Sequence, residues 1–506
     1  MYLCELLPAV EKVFIENFRS IQKLEIKLDK INALIGPNNA GKSNILKAVG
    51  LVLGETWPSP RVVDDNDFIG MNRNNKITIR VSLDQYLIDK KSQKKVYGFS
   101  FECQDDDSNF YALDSGGNPL TYSNGFPVRV TQDMRDEIPL VFVDVDRQSS
   151  QQVKSSRWTL YGKILKYLGS KIPDAKKSQF QKMVLSAFDS EIFDVSQGSD
   201  LKHLEDALGT SMKEQTGFDL ILELSILDPV EAIKNVRPYL KEGTNTNKHD
   251  PEEMGAGTQS ALTIAIARAY NEIVKKGAIL AIEEPELHFH PQACRNFYNN
   301  LNMLSENGLQ VIYTTHSPFF VDISKFENLH IIRKKNSSTV IESGLNLLST
   351  GFQRSQIITK FNEGVNQSLF ADFVVLVEGP DDEVACKSML EKMGFDINKS
   401  NVSVVSCGGR DNIPHIAKVL NFLKITTLAL VDEDPGNAHT ASTLAQLEGI
   451  IGTGSVFLQS PNLEGMFGSQ RKFDQIYALK FFQNYQGSVP QVYIDIISNL
   501  THNSNP

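Results

Sequence analysis

Short hydrophobic runs that end abruptly in glycine or acidic residues recur along the chain. Examples that contain almost no polar side chain are INALI (31–35), AILAI (278–282), FVVLV (373–377) and LALV (428–431). Runs of this length without alternation are typical of strands covered on both faces, as in parallel sheets. Ligand sites of such sheets form beyond the carboxyl ends of the strands. The pattern therefore predicts open α/β sheets and draws attention to the residues that follow each run.

The C-terminal third alternates regularly between hydrophobic runs and stretches with helical spacing. FVVLVE, NVSVVSCGG and TTLALVDED have the composition of strands, whereas DDEVACKSMLEKMGF and DNIPHIAKVLNFLK between them have that of helices. Successive strand–helix–strand units build a parallel sheet with right-handed crossovers. We therefore predict a separate parallel α/β domain over residues 369–506.

The central regions have a different pattern. Residues 60–150 contain irregular strands such as KITIRVSLDQYLI, which we expect to extend the sheet of the N-terminal part of the chain. Residues 151–215 are rich in charge and have helical spacing. The division that follows is an N-terminal part at 1–150, a helical insertion at 151–215, a C-terminal part of the first domain at 216–345, a linker at 346–368 and the second domain at 369–506.

Composition limits the class of protein. The chain has 506 residues, 41% of them hydrophobic and 22% charged, which predicts a globular protein of two to four domains. No apolar stretch reaches the roughly 20 residues of a membrane helix, and the N-terminus lacks a basic region of the signal-peptide kind. The cysteines are scattered without a CxxC pair, so we expect a reducing, cytoplasmic location and no zinc site. A net charge of −10 argues against a simple DNA-binding module, although a local basic groove or bound cations can still attract a phosphate.

The segment GPNNAGKS, from Gly36 to Ser43, lies between the INALI strand and a stretch of helical spacing. That order of strand, glycine loop and helix is the context that a phosphate-binding loop requires. The loop amides and the helix N-terminus would face the phosphates, Lys42 would reach the β- and γ-phosphates, and Ser43 would hold Mg²⁺. The predicted nucleotide contacts are Gly36, Asn38, Asn39, Gly41, Lys42, Ser43 and Asn44.

Two later strands end in residues suited to nucleotide hydrolysis. Glu283 and Glu284 follow the AILAI run, and His316 follows the next one, QVIYTT. We expect Glu283 to support Mg²⁺ through water, Glu284 to orient or deprotonate the attacking water, and His316 to sense the γ-phosphate. Aspartate is the usual residue at the position of Glu283, and glutamate places the acid one methylene further from the backbone.

A glycine-rich turn opens an amphipathic helix in MGAGTQSALTIAIARAY, which begins at Met254. The amides of its first turn would face outward toward an anion. Its candidate nucleotide contacts are Gly255, Gly257 and Gln259. The phosphate loop, this glycine cap, the Glu-Glu pair and the histidine follow one another in an order that resembles the ABC ATPases of the RecF and SMC type, as does ENFRS near the start. The resemblance implies that ATP is held between two heads, so that hydrolysis needs a homodimer or a higher oligomer.

Carboxylates also follow the strands of the C-terminal domain. Glu378 and Asp382 come after FVVLV, and Asp432 and Asp434 come after LALV. Because parallel strands end at the same sheet edge, we expect these side chains to converge there. Carboxylates so placed repel one another unless a cation is present, and hard cations such as Mg²⁺ prefer oxygen ligands. The alternative for Asp382 is a helix cap, and for the whole group a solvated sheet edge.

The combination EGPDD with DED resembles the Toprim domain, and an ABC ATPase followed by a Toprim domain resembles the OLD (overcoming lysogenization defect) family over nearly the whole chain. The resemblance implies a DNA endonuclease with a two-metal site, using Mg²⁺ or Mn²⁺, regulated by its ATPase. It implies metal ligation and catalysis by Glu378, Asp382, Asp432 and Asp434, with Glu464 as a further ligand. Lys472 is the candidate for an assisting lysine. In this family the helical insertion forms a dimerisation arm; helices packed within one subunit are the alternative.

The sequence thus predicts an ATP-regulated, divalent-metal-dependent DNA endonuclease, most plausibly in defence against phage. The competing hypothesis is a non-cleaving ATPase of the RecF/SMC type, acting in repair or sensing with an inactive Toprim fold. A topoisomerase would need a different ATPase and far more chain, and a primase would need a zinc-binding segment. The family also implies a helicase or reverse-transcriptase partner encoded nearby. The DNA recognised, the trigger, and whether ATP activates or restrains cutting stay open.

Overall fold

The computed structural model describes residues 8–143, 159–187, 200–216, 232–233, 235–241, 247–274, 277–288, 291–344, 360–361, 363–436 and 438–502. The chain divides into two compact units, one of residues 1–145 with 277–506 and the other of residues 146–276. Most of the expected linker at 346–368 lies outside the described residues.

The N-terminal part of the larger unit contains a five-stranded antiparallel sheet. Its strands, in the spatial order β2-β1-β4-β5-β6, are β1 (Val10–Phe18), β2 (Ile21–Lys27), β4 (Ile77–Ile88), β5 (Lys95–Gln104) and β6 (Asp107–Leu113). The expectation that the strands of residues 60–150 extend the phosphate-loop sheet is therefore wrong for β4 to β6. Alternating buried and exposed positions, as in β2, are typical of a sheet with one covered face. This alternation distinguishes the antiparallel sheet from the sheet that carries the phosphate loop.

The second sheet carries the phosphate loop. Its six strands, in the spatial order β11-β10-β3-β9-β8-β7, are β3 (Ile31–Ile35), β7 (Leu140–Val143), β8 (Ile279–Ile282), β9 (Gln310–Thr315), β10 (Leu329–Lys335) and β11 (Ser338–Ser343). All neighbours pair in parallel except the edge strand β11. Every residue of β3 is buried, as expected for a central strand covered on both faces.

Helix α1 (Lys42–Leu53) lies between these two sheets. Its apolar side chains, such as Ile45 and Val49, join one hydrophobic core with residues of both sheets. Two further helices of this part are α2 (Gln132–Asp136) and α7 (Pro291–Glu306). Because α1 starts directly at the phosphate loop, the core that holds this helix also fixes the position of the loop.

The described residues of the smaller unit are mainly helical. Its helices are α3 (Leu160–Ser170), α4 (Asp174–Ala187), α5 (Asp200–Thr216) and α6 (Ala256–Val274). Leu160, Ile164 and Leu165 of α3 are buried, and α3 packs against α6.

The C-terminal part of the larger unit has the predicted parallel sheet. Its strands, in the order β13-β12-β14-β15, are β12 (Phe373–Val377), β13 (Val402–Ser406), β14 (Thr426–Asp432) and β15 (Val456–Gln459). The helices around it are α8 (Glu363–Asn366), α9 (Pro380–Lys392), α10 (Ile413–Phe422), α11 (Ala438–Ile451), α12 (Leu463–Phe467), α13 (Gln475–Gln483) and α14 (Gln491–His502). All five residues of β12 are buried, so both faces of the sheet are covered. The predicted α/β class, with a separate parallel sheet in the C-terminal part, is confirmed.

The ATPase sheet and the Toprim sheet touch within the larger unit. Arg333 of β10 donates a hydrogen bond from Nη2 to the carbonyl oxygen of Ala371, 2.6 Å away, just before β12. Asn366 of α8 donates from Nδ2 to the carbonyl of Val321, at 3.4 Å. The described helices include none long and apolar enough to cross a membrane.

Candidate functional site

The backbone of the phosphate loop depends on two glycines with positive φ. Gly36 has φ +150°, and a Cβ there would lie 2.0 Å from the carbonyl oxygen of Ile332 in the neighbouring strand β10. Gly41 has φ +106°, and its Cβ would lie 2.2 Å from Oγ1 of Thr339. A larger residue at either position would have to displace an adjacent strand. The tight loop that the sequence predicts is therefore also closely packed against β10 and β11.

Ser20 and Thr339 brace the loop from outside, and sequence reasoning missed this role for both. Their hydroxyls are 2.7 Å apart, and Thr339 Oγ1 donates to the carbonyl of Ala40 at 2.9 Å. Asn44 donates from Nδ2 to Ser20 Oγ at 2.8 Å. Ser20 belongs to the ENFRS segment, so the family resemblance marked this position without giving its function. The Asn44 side chain thus holds the loop to the turn between β1 and β2.

Lys42 is buried at the start of α1. Its Nζ donates to the carbonyls of Gly36 at 3.0 Å and Pro37 at 2.9 Å. Burial lowers the pKa of Lys42 to about 8, while the nearby carboxylates of Glu284, Glu286 and Glu283 act in the opposite direction. The ammonium is therefore placed among loop carbonyls and acids, where a phosphate would supply additional negative charge. Ser43 follows at the helix start and is partly exposed, while Asn38 and Asn39 lie exposed at the tip of the loop.

Glu284 and His316, which follow adjacent strands, lie close together. His316 Nε2 is 3.4 Å from Glu284 Oε1. Burial and the positive charge of Lys42 lower the pKa of His316, and Glu284 opposes that shift. Glu284 has φ +42°, a strained value for a residue with a side chain, and its amide is held by Thr314 O and Oγ1, each at 3.1 Å. The backbone is therefore constrained to present this carboxylate beyond the strand end.

Glu283 directly follows β8 and is buried. It is 4% exposed, and its amide donates to the carbonyl of Val143 in β7 at 2.9 Å. Its charge nevertheless acts on Lys42. Glu283 is therefore more buried than Glu284, which is partly exposed.

Glu286 is a further acid of this site that sequence reasoning missed. Its Oε1 accepts a hydrogen bond from the backbone amide of His316 at 2.6 Å and one from Thr315 Oγ1 at 3.0 Å. Burial raises its pKa, and among the described residues its buried Oε2 has no hydrogen-bond partner. A short 3₁₀ turn, Pro285–His288, folds the chain back so that this side chain meets the next strand end. EEPE displays the acid, but nothing in the sequence shows that turn.

We expect Glu286→Ala to lower the kcat for ATP hydrolysis about tenfold with little change in KM, because loss of a charge-assisted hydrogen bond displaces His316 from its working position. Glu286→Gln keeps an acceptor oxygen and should retain more of the activity. Steady-state ATPase assays on the full chain test this, with Glu306→Gln, an exposed acid at the end of α7, as the control. A wild-type kcat in Glu286→Ala would contradict the positioning role.

The glycine cap lies in the smaller unit. The turn at Gly255 leads into α6, with the amides of Thr258 and Gln259 donating to the carbonyl of Gly255 at 2.9 and 3.2 Å. Gln259 Nε2 donates to the carbonyls of Met254 at 2.9 Å and Glu252 at 3.3 Å. The Gln259 side chain therefore closes the turn, and Gly257 lies in the first turn of the helix.

Carboxylates of the Toprim sheet gather at the carboxyl ends of β12 and β14. Glu378 Oε1 accepts a hydrogen bond from the amide of Asp432 at 3.0 Å, which ties the two strand ends together. Asp432 Oδ1 accepts from the amide of Leu463 at 3.0 Å. Asp434 has φ +41°, strained as at Glu284, and its amide donates to the carbonyl of Pro461 at 2.9 Å. The predicted convergence of these strand ends is present.

Asp382 performs the capping role that the sequence left open, and it also lies near the other acids. One oxygen accepts from the amide of Gly379 at 3.0 Å, and the other accepts from Gln459 Nε2 at 3.0 Å. Burial raises the pKa of Asp382 to about 7, with contributions from the charges of Asp381 and Glu378. Burial, followed by the charges of Asp382, Glu378 and Asp434, raises the pKa of Asp432 to about 8.

Arg410, which sequence reasoning missed, lies among these acids. Its Nε is 2.8 Å from Glu378 Oε1, and its Nη2 is 2.7 Å from Asp434 Oδ2. Its Nη1 donates to the hydroxyl of the buried Thr440. Over the part of the chain that the structure describes, no three His, Cys, Asp or Glu side chains are grouped to hold a metal ion. A guanidinium rather than a third acid bridges Glu378 and Asp434.

The residues nevertheless fit a divalent cation by their chemistry. The site offers carboxylate oxygens on two strand ends, which are the ligands that Mg²⁺ and Mn²⁺ prefer. Burial, followed by the charges of neighbouring acids, raises the pKa of Asp382 and of Asp432. Ionisation of these carboxylates is therefore costly, and a cation beside them would offset that cost. Arg410 already acts as a cation between two of them.

Glu464 and Lys472 are not drawn into this group by the described contacts. Glu464 Oε1 accepts a hydrogen bond from the amide of Phe473 at 3.0 Å, and Lys472 is exposed. Both remain predictions as a metal ligand and an assisting lysine.

The described folds and sites define a P-loop ATPase head joined to a Toprim domain. The sequence profile of a family described as "AAA domain, putative AbiEii toxin, Type IV TA system" matches residues 31–322, and one described as "Overcoming lysogenization defect protein-like, TOPRIM domain" matches residues 369–434. The chain belongs to this AAA-domain family, in the OLD-type combination with a Toprim domain.

Several characterised proteins are similar along most of their length. An OLD nuclease of Thermus scotoductus is 29% identical over 91% of this chain and 92% of its own. The Old nuclease of Escherichia phage P2 is 25% identical over 83% of this chain and 76% of its own. Endonuclease GajA of Bacillus cereus is 23% identical over 83% of this chain and 74% of its own. Among solved structures, an SMC head bound to the C-winged helix domain of ScpA aligns with a TM-score of 0.39 at 16% identity, covering 68% of this chain and 99% of that one.

Proposed function

We propose that the protein is an ATP-regulated, divalent-metal-dependent DNA endonuclease that acts in antiphage defence. The single observation that carries the proposal is the joining of the β12 and β14 ends by the Glu378–Asp432 hydrogen bond, with Asp382 and Asp434 beside them, in a chain that also holds a complete phosphate loop. The nuclease names of the similar proteins support the reaction class.

In the ATPase head, each proposed role follows from position. Lys42 would bind the β- and γ-phosphates, the loop amides would cradle them, and Ser43 would hold Mg²⁺. Glu284 would accept a proton from, or orient, the attacking water, and His316 would contact the γ-phosphate from the adjacent strand end. Glu283 would act through water. The glycine cap of Gly255, Gly257 and Gln259 would complete the site of a second copy, which makes a homodimer the smallest active form.

In the Toprim domain, Glu378, Asp382, Asp432 and Asp434 would hold Mg²⁺ or Mn²⁺, with Glu464 as a further ligand and Lys472 as an assisting cation. Divalent cations at such a site supply an activated water and stabilise the departing oxygen of a phosphodiester. The hydrogen bonds from Asp432 N to Glu378 and from Leu463 N to Asp432 fix the orientation of these oxygens before any ligand arrives. That preorganisation is what in-line cleavage requires of the protein.

The contacts between the two sheets offer a route by which nucleotide could influence cleavage. Arg333 connects β10, the neighbour of the phosphate-loop strand, to the residue before β12. Asn366 connects the segment after β9, on which His316 lies, to α8. The proposed location is the cytoplasm. The proposed domains are residues 1–150, 151–215, 216–345, 346–368 and 369–506. The proposed partners are DNA and a helicase or a reverse transcriptase.

Supercoiled plasmid tests the proposal. The full chain with Mg²⁺ or Mn²⁺, with and without ATP, should produce nicked or linear DNA, and chelator should stop the reaction. Asp434→Asn should lose the activity, whereas Glu448→Gln, an exposed acid on α11, should keep it. Cutting by Asp434→Asn at the wild-type rate would remove the site assignment. A wild-type protein that hydrolyses ATP but leaves DNA intact would instead support the non-cleaving ATPase.

A further inference from the structure

Arg410 has an unusual place for a cation in a predicted metal site. It follows the loop at the end of β13, where Gly408 and Gly409 have φ +67° and +128°, and the amide of Gly409 donates to the carbonyl of Glu378 at 2.8 Å. The loop is thereby tied to the residue whose side chain Arg410 contacts. The Arg410 side chain is 12% exposed, so its charge is largely removed from solvent.

The contacts of Arg410 use oxygens that a metal ion would need. Its Nε and Nη2 reach one oxygen each of Glu378 and Asp434, at 2.8 and 2.7 Å. A bridging Mg²⁺ or Mn²⁺ would require those carboxylates at about 2.0–2.2 Å in regular geometry. A guanidinium and a divalent ion between the same acids would also repel each other strongly in a partly desolvated site. Charge repulsion therefore opposes the presence of both cations beside these two carboxylates.

A third contact of Arg410 involves a hydroxyl and not a carboxylate. Its Nη1 donates to Oγ1 of Thr440, a buried residue of α11. This hydroxyl belongs to neither carboxylate, so it can keep the guanidinium near the site after the acids are released. A fixed structural arginine would strengthen the metal site by orienting its ligands, whereas a competing arginine would weaken it. The two roles differ in the sign of their effect on metal affinity.

We propose that Arg410 is a built-in counter-ion of the carboxylate site, which competes with the divalent cation for Glu378 and Asp434 and so sets the metal concentration that the enzyme requires. The inference rests on the metal site of the proposed function. When the cation binds, Arg410 leaves the two carboxylates. At low metal concentration Arg410 neutralises the two acids and stabilises the folded domain. The same contacts keep these acids from binding the cation that cleavage requires.

Mn²⁺ titration of the full chain, without DNA or nucleotide, tests the competition by calorimetry or by electron paramagnetic resonance of free Mn²⁺. Arg410→Gln should bind Mn²⁺ about tenfold more tightly, the scale expected for removal of one adjacent positive charge. In chelator the same variant should melt at a lower temperature than the wild type, and the difference should shrink in saturating Mn²⁺. Arg410→Lys, which keeps the charge, should stay close to the wild-type affinity.

Lys399→Gln makes the same charge change on an exposed side chain of the Toprim domain and should bind Mn²⁺ as the wild type does. Should Arg410→Gln fail to fold, Thr440→Val removes only the third anchor and should tighten Mn²⁺ binding by a smaller factor. Unchanged or weaker binding by these variants overturns the competition and leaves Arg410 as a fixed support. A wild-type protein that binds no Mn²⁺ overturns the metal site itself, and the two failures are thus distinguishable.

Discussion

Asp432→Asn is expected to abolish DNA nicking, by roughly a thousandfold or more, while making the metal-free protein more stable. The loss follows because asparagine cannot supply the negative charge that holds a cation opposite the reacting phosphate. The gain follows because Asp432 is a largely buried acid surrounded by Asp382, Glu378 and Asp434. Asparagine keeps the side-chain oxygen that accepts the hydrogen bond of Leu463, so the structural contact survives. DNA nicking should therefore fall, whereas the free energy of unfolding of the metal-free protein should rise by about 1–2 kcal/mol.

The pH dependence of this stability difference has a definite sign. The pKa of Asp432 is raised from 3.8 to about 8 on folding, so between these values the folded state holds a proton that the unfolded state has lost. Stability in chelator therefore falls as the pH rises from about 4 to about 8 and levels off above that. Asp432→Asn lacks this contribution. The melting temperatures of variant and wild type should converge at acid pH and separate toward pH 8.

Melting curves in chelator from pH 4 to pH 9, together with plasmid nicking in Mn²⁺, measure both effects on one preparation. Asp382, with a pKa raised to about 7, leaves a smaller slope of the same sign in the variant. Glu448→Gln should resemble the wild type in both assays. If Asp432→Asn were less stable than the wild type at pH 8, the acids would not repel one another as described, and the reason for a cation at this site would be lost.

The sequence predicted the elements of the parallel sheets well, because a strand covered on both faces leaves a direct trace in its residues. All of β3 and β12 is buried, and both were recognised from short runs that are almost entirely hydrophobic. The assignment of β4 to β6 to the phosphate-loop sheet was wrong, because a strand's pattern shows which faces are covered but not which neighbour it joins. That choice is made by long-range pairing, here of β4 with β1.

The candidate sites likewise contain some residues that the sequence pattern reveals and others that only the fold reveals. Glu284, His316, Glu378 and Asp432 follow hydrophobic strands, and the strand-end rule of α/β sheets was enough to find them. Arg410 and Glu286 sit on short turns after such strands, and their contacts depend on how those turns fold. Ser20 and Thr339 lie 319 positions apart in the chain and meet only in the folded protein. Spacing along one sequence cannot reveal a pair of that kind.

Lys42→Met is expected to reduce ATP turnover by about a hundredfold or more without unfolding the protein. Methionine fills a similar volume but cannot contact the β- and γ-phosphates. The substitution also removes a buried ammonium whose pKa burial has lowered to about 8, so stability should stay the same or rise slightly. The Nζ hydrogen bonds to Gly36 and Pro37 are lost, but the loop keeps its braces at Ser20 and Thr339.

Lys47→Met is the matched control, since Lys47 is an exposed lysine on the same helix and should leave turnover unchanged. Plasmid nicking by Lys42→Met, measured with and without ATP, then tests the coupling of the two domains without assuming its direction. If nucleotide controls the Toprim site in either sense, the wild type responds to ATP and Lys42→Met does not. Lys42 lies at the start of α1, far along the chain from the Toprim acids. Equal responses to ATP in the wild type and in Lys42→Met would mean that the phosphate loop is not the regulatory site. Wild-type ATP turnover by Lys42→Met would refute the P-loop assignment directly.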